Sequence, residues 1–224
     1  MIVHDVQQGS EEWHQIRLAR PTASNFAKIL TKPQKKADRE AGAMSRTAFS
    51  YMADCFTEWV LLEPVDGPTS PWMERGQRQE ADALDHYRAF LAPSGAEVQP
   101  VGFVTLDADP LAPGCSPDAL VGEDGGLELK ILAAKNHTKI MFEPERFLAE
   151  HWAQVQGGLW ITGRQWWHLI AWNPVLPPVV HRVEPDAGYI LMLATQVVNF
   201  TVMLEARLAE FGYQPKAKLA EATT

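Results

Sequence analysis

The stretch CSPDALVGEDGGLELKI, Cys115–Ile131, restricts the possible fold more than any other part of the chain. Its second half alternates Leu127, Leu129 and Ile131 with Glu128 and Lys130. Residues two apart on a strand share a face, so a carboxylate and an ammonium project together, opposite an apolar face. The EDGG sequence predicts a hairpin turn at Asp124–Gly126 between this strand and DALVGED. Such a turn brings Asp118, just ahead of the first strand, back towards Glu128. Two carboxylates and a lysine then converge in an apolar hairpin. Buried charges are costly unless they are paired or bind a metal. The stretch is therefore either a structural ion-pair cluster or a site.

The residue types suit one chemistry well. Hard oxygen ligands with spare coordination positions favour Mg²⁺ or Mn²⁺. A metal held by few carboxylates keeps waters, one of which can become a nucleophile. A neighbouring lysine can orient that water or neutralise charge developing on a phosphate. Phosphodiester hydrolysis needs these groups. The plainer alternative is a salt-bridge ladder on a solvated strand face. Two other segments bear on the choice. RGQRQEADALDHY puts Glu80 on a helix with Arg75 and Arg78 nearby, and HWAQVQGGLWITG puts Gln154 on another. Glu80 is a candidate third carboxylate, or else half of a helix-face ion pair. Gln154 is a candidate holder of a water or a phosphate oxygen, or else a satisfied surface amide.

Hydrophobic period organises the rest. GSEEWHQIRLAR reads as a helix capped by Ser10, and TASNFAKIL as a second short helix beginning near Thr22 or Ser24. The polar, basic TKPQKKADREAGA reads as an exposed loop, and MSRTAFSYMADCFTEWVLLEP as a long helix. DGPTSP is a turn-rich linker to the helix that carries Glu80. The period then changes to two in AEVQPVGFVTLD, DALVGED and LELKILA, three expected strands. A helix to Gly163, strands in QWWHLIAWNP and PPVVHRVEP, and a long amphipathic helix capped by Asp186 follow, before a frayed tail, YQPKAKLAEATT. This order predicts an α/β fold: a small mixed sheet flanked by helices, with a helical N-terminal elaboration. The 224 residues fit a single domain, with a helical part over 1–95, a sheet core over 96–185 and a closing helix over 186–212.

Composition narrows the setting. No apolar run reaches the roughly 20 residues of a membrane span, and the N-terminus has no signal-like core. Two cysteines sixty positions apart, Cys55 and Cys115, suggest neither a zinc knuckle nor an oxidising compartment. The expectation is a cytoplasmic protein with no membrane partner. The formal net charge of −8 argues weakly against nucleic acid, because a local basic channel matters more than the total.

Four blocks, GSEEWHQIRLARPTASNFAKIL, RGQRQEADALDHY, CSPDALVGEDGGLELK and HWAQVQGGLWITG, occur in this order. Together they resemble the phage lambda exonuclease, or YqaJ-type viral recombinase, family of the PD-(D/E)XK nuclease superfamily. The likeness runs from about Gly9 to the end of the last expected strand. It implies a restriction-endonuclease-like core and a Mg²⁺-dependent exonuclease, with Mn²⁺ able to substitute and one or two ions per subunit. Such an enzyme digests one strand of linear double-stranded DNA from 5′ to 3′ and leaves a 3′ overhang for a single-strand annealing protein. A homo-oligomer, in some members a ring-shaped trimer, and a bacterial host cell with a phage or prophage gene also follow from the resemblance. By the same route Asp118, Glu128 and the Leu129 carbonyl are metal ligands, Glu80 supports a second metal, and Lys130 is the catalytic lysine. Gln154 faces the water or the scissile phosphate, and Arg17, Ser24 and Ser116 grip the terminal 5′-phosphate. The chain departs from the family at ILAAKNHTK, where Lys135 or Lys139 takes over a phosphate contact, and at Arg20–Pro21, where the family carries Gly and an apolar residue. The competing readings are a related endonuclease and a non-catalytic DNA-binding module. A nuclease with an iron–sulfur cluster is disfavoured because two cysteines cannot supply four ligands.

Overall fold

Caps set where the helices start. Ser10, Ser45 and Asp186 each accept a hydrogen bond from a backbone N–H three residues on, at Trp13, Ala48 and Tyr189. Each thereby satisfies one of the free donors of the first turn. They open α1 (Glu11–Arg17), α4 (Arg46–Leu61) and α8 (Ala187–Glu210). Between α1 and α4 lie a 3₁₀ turn (Ala23–Asn25), α2 (Phe26–Ile29) and α3 (Lys36–Glu40). Then come α5 (Pro71–Phe90), α6 (Ala134–Phe142) and α7 (Pro144–Thr162). The last ends on Gly163 at φ 66°, whose N–H bonds the Leu159 carbonyl. In this computed structural model residues 1–65 and 71–213 are described, with the backbone alone over 71–78. Residues 66–70 of the linker DGPTSP, the tail after Tyr213 and the side chains of Arg75 and Arg78 lie outside the described residues.

Among the described residues eight strands form two sheets. β2 (Val98–Gln99), β5 (Ala119–Val121), β6 (Gly125–Ile131), β7 (Trp166–Trp172) and β8 (Val179–Val183) form one, in the order β2-β5-β6-β7-β8. β6 and β7 are parallel, from Gly125 opposite Trp166 to Ile131 opposite Trp172, and the other pairs are antiparallel. The second sheet is antiparallel: β1 (Ile2–His4), β3 (Phe103–Thr105) and β4 (Gly114–Cys115).

Several expectations need correction. AEVQPVGFVTLD is two strands in two sheets, because Pro100 has no N–H for a ladder and a Cβ at Gly102 would lie 1.8 Å from the Val6 carbonyl oxygen. The hairpin turn is Gly122–Asp124, since Val121 pairs with Gly125. Gly125 and Gly126 are strand residues instead: a Cβ at either would meet the Trp166 or Trp167 indole at 2.1 and 2.2 Å. The basic segment expected as a loop contains α3, held by a Lys36–Glu40 pair at 3.5 Å and by Arg39 Nη1 on the Pro33 and Gln34 carbonyls. β1, β4 and α6 were not expected. Finally, α8 is long and apolar enough to cross a membrane by length and composition. Its Leu193, Val197, Phe200, Leu204 and Leu208 nevertheless lie in the protein core with Tyr51 and Met52 of α4.

The two faces of the larger sheet are covered differently. Ala83 and Tyr87 of α5 pack with Leu127, Leu129, Ile170 and Trp172. Phe147, Val155 and Leu159 of α7 pack with Trp167, Leu169 and Ala171 on the other. Glu128 and Lys130 alternate with Leu127 and Leu129, so they face α7, from which Gln154 descends.

Candidate active site

The Asp118 backbone N–H bonds the Leu127 carbonyl at 3.0 Å, and its carboxylate Oδ2 accepts the Leu129 N–H. Both bonds hold Asp118 against β6. One strand residue away, Glu128 Oε1 accepts from Lys130 Nζ at 2.7 Å and from Gln154 Nε2 at 2.6 Å. Lys130 Nζ also donates to Gln154 Oε1 at 3.1 Å. The three side chains form a closed ring of hydrogen bonds. Glu80, half-buried on α5, is close enough to repel both Glu128 and Asp118.

The electrostatics are unbalanced. Burial, and then the Glu128 charge, push the Asp118 carboxyl well above its ordinary pKa, against the pull of the Leu129 N–H. Burial and Glu128 raise Glu80 as well. Burial pulls Lys130 down, but the Glu128 charge and hydrogen bond outweigh it, so its pKa is raised. One ammonium thus faces three carboxylates, and a further cation would relieve the repulsion. Among the described residues no three acidic, His or Cys side chains form an ion cage by themselves. The set fits an open oxygen site, in which water and backbone carbonyl complete the shell of a hard ion.

A second cluster adjoins the first. Ser116, two residues before Asp118, accepts from Arg17 Nη1 at 2.7 Å and from Trp13 Nε1 at 3.2 Å. Arg17 lies over the Trp13 ring at 4.1 Å, and its carbon is 5.6 Å from the Phe103 ring centre. Burial pulls the Arg17 pKa down, although a guanidinium stays charged. Among the described residues it makes no ion pair with a carboxylate. Its presentation depends on the turn after α1. Ala19 adopts φ 61° there and donates its N–H to Glu58 Oε2 at 2.9 Å. Arg20, at the departure from the family pattern, is occupied with the Ile16, Asp109 and Ala112 carbonyls.

The structure thus brings Asp118, Glu128, Lys130, Gln154 and Glu80 together, and Arg17 onto Ser116. Ser24 is exposed on the 3₁₀ turn and bonds Thr22 Oγ1 at 3.3 Å. That turn joins the same edge through a Thr22–Gly114 bridge. Lys135 is exposed at the start of α6. Leu129 contributes its N–H to Asp118, and its side chain lies in the apolar cluster beneath α5. Trp13 is the residue that sequence reasoning missed, having been read as an apolar helix position. The signal was present: Trp13 and Arg17 are four apart on one helix, the spacing at which side chains meet.

Comparison with known proteins places the chain in a family. A family model described as "YqaJ-like viral recombinase domain" matches residues 12–165. The alkaline exonuclease LHK-Exo from Laribacter hongkongensis is 27% identical over 95% of this chain and 100% of its own, with a TM-score of 0.73. A structure of LHK-Exo in complex with dAMP gives the same identity and coverage and a TM-score of 0.75. A phage related exonuclease from Haemophilus somnus 129PT shares the fold at 14% identity, over 86% of this chain and 96% of its own, with a TM-score of 0.68. None of the curated proteins compared with the chain matches it.

Proposed function

The chain belongs to the family of YqaJ-like viral recombinase domains, and on that premise we propose that it is a Mg²⁺-dependent exonuclease. It digests one strand of linear double-stranded DNA from the 5′ end in the cytoplasm of a bacterial host. The 3′ overhang is the substrate of a single-strand annealing protein, and the enzyme works as a homo-oligomer. The observation that carries the reading is the adjacency of the Arg17 guanidinium, held on Ser116 with no ion-pair partner among the described residues, to the Asp118–Glu128–Lys130–Gln154 cluster. A terminal phosphate held at the first places the next phosphodiester at the second. The alkaline exonuclease LHK-Exo, similar over 95% of the chain, supports the nuclease chemistry.

Each residue has a part. Arg17 and Ser116 bind the terminal 5′-phosphate, with Trp13 holding the guanidinium flat, and Ser24 adds a hydroxyl from the adjoining turn. Asp118, Glu128 and the Leu129 carbonyl hold the ion, and Glu80 supports a second. When bound, the ion supplies Lewis acidity and a water of lowered pKa. Lys130 neutralises charge that develops on the scissile phosphate. Gln154 keeps Lys130 and Glu128 in register and offers its amide to the water or a phosphate oxygen. Lys135 makes a backbone contact beyond the cut.

The test uses linear duplexes with 5′-phosphate or 5′-hydroxyl ends and a closed circle, with and without Mg²⁺. Steady release of mononucleotides from the 5′-phosphorylated linear duplex, only with the ion, is expected. Cutting of the circle would make the protein an endonuclease, and no digestion of any substrate would leave a binding module. Lys130→Ala is expected to bind duplex ends within about threefold of wild type and to lose at least 100-fold in hydrolysis. A fully active Lys130→Ala would remove the lysine from the chemistry.

A further inference from the structure

Beside Lys130 a groove of about 580 Å³ opens between α6 and α7. Its floor is Leu132, Ile140 and Phe147, and its rim carries Lys139 and Phe142. Phe142 is 79% exposed at this rim. Phe147 and His151 line its α7 wall, seven and three residues before Gln154 on one helical face, and Lys130 lines the end nearest Glu128. The groove is therefore a direct continuation of the cluster around Glu128.

Its place in the sheet fixes what it adjoins. Ser116 precedes β5, on one side of β6, whereas α6 follows β6 and packs beside β7, on the other. The Arg17–Ser116 position and the groove thus flank the carboxylates on opposite sides. A strand whose terminal phosphate sits at the first and whose next phosphodiester lies over Glu128 and Lys130 must continue into the second.

The groove's chemistry suits that occupant. Lys139 has no ion-pair partner among the described residues, whereas Arg146 is paired with both Glu150 at 2.9 Å and Glu143 at 3.4 Å, a trio that leaves one carboxylate charge over. His151 Nδ1 donates to the Phe147 carbonyl at 2.9 Å, so a neutral ring presents Nε2 as an acceptor. An apolar floor, the Lys139 ammonium and an exposed ring at the rim make a stacking platform with a backbone contact, the combination that holds single-stranded nucleic acid.

We propose that this groove binds the nucleotides of the digested strand on the retained side of the scissile phosphate, with a base stacked on Phe142 and a phosphate at Lys139. The assignment rests on the nuclease reading above and adds a second strand-binding position to it. Stacking there draws the strand out of the duplex and holds it after each cut, so the same end advances by one nucleotide.

The test couples the ring to the bases. A 5′-phosphorylated linear duplex is prepared with nucleotides two to four of the digested strand either natural or abasic. Release of the first nucleotide is then followed for wild type and Phe142→Ala in Mg²⁺. Wild type is expected to lose about tenfold in kcat/KM on the abasic substrate, and Phe142→Ala less than twofold, since the stacking partner is already gone. Lys139→Ala is expected to lower the slope of log KM against log salt by about one ion. Both residues are exposed, and circular dichroism checks that the variants fold. Equal loss on the abasic substrate in wild type and Phe142→Ala overturns the proposal. So does a Phe142→Ala variant that instead weakens inhibition by a free 5′-mononucleotide, which would make the groove a product site. Failure of wild type to digest any duplex would sink the nuclease reading itself, a separate result.

Discussion

At the scale of single residues, the site separates groups that are held from groups that are left free. Glu128 and Lys130 are both satisfied, by each other and by Gln154. Arg17 is different: one guanidinium nitrogen rests on Ser116, one face lies on Trp13, and among the described residues no carboxylate forms an ion pair with it. A planar fork in that position can take a phosphate through two parallel hydrogen bonds, which an ammonium cannot. Arg17→Lys keeps the charge and loses the fork and the stacking on Trp13. The expected result is a rise of about tenfold in KM for 5′-phosphorylated ends, from roughly 1.4 kcal/mol of lost binding. For 5′-hydroxyl ends little change is expected. Steady-state kinetics on matched duplexes read both. An equal effect on the two ends would mean that Arg17 shapes α1 and does not meet the phosphate.

At the scale of elements, what was legible in the sequence is what local chemistry decides. α1 and α8 begin at Ser10 and Asp186, and α7 ends at Gly163, because caps and left-handed glycine act over three or four residues. The alternation in β6 placed Glu128 and Lys130 on one face and needed no partner strand to be read. The pairing of β3 with β1, about a hundred residues apart, has no local mark, so one expected strand became two. Trp13 above Arg17 was missed for a related reason: its indole N–H finds Gly102 and Ser116, both distant in sequence. The turn was misplaced because EDGG suits a tight turn locally, while Gly125 and Gly126 are needed beneath Trp166 and Trp167. That packing is testable. Gly126→Ala forces a methyl against the Trp167 ring inside the sheet that carries Glu128. It is expected to cost about 1–3 kcal/mol, read as a lower urea midpoint with unchanged slope. A neutral Gly126→Ala would show that the indole can move aside.

At the scale of the whole molecule, the site is where separate layers meet. Glu80 comes from α5 on one side of the sheet, Gln154 from α7 on the other, and Asp118 and Glu128 from the hairpin between them. Without a cation their repulsion acts across all these contacts, in a chain whose formal charge is already −8. An ion bound there stabilises the folded state alone, by about 2.7 kcal/mol at a hundred times its dissociation constant. For a chain of this size each kcal/mol moves Tm by roughly 2–4 °C. Saturating Mg²⁺ is therefore expected to raise Tm by about 5–10 °C over protein in EDTA, measured by differential scanning fluorimetry. Asp118→Asn separates the ion's contribution from the fold's. The asparagine side-chain oxygen can still accept the Leu129 N–H, while one of the repelling charges is gone. Metal-free Asp118→Asn is thus expected to melt at or above metal-free wild type and to show less than half of the Mg²⁺ increment. A variant that melts lower without metal would mean that the Asp118 charge stabilises the hairpin directly. A full Mg²⁺ increment in Asp118→Asn would move the ion away from Asp118, and the hydrolytic centre with it.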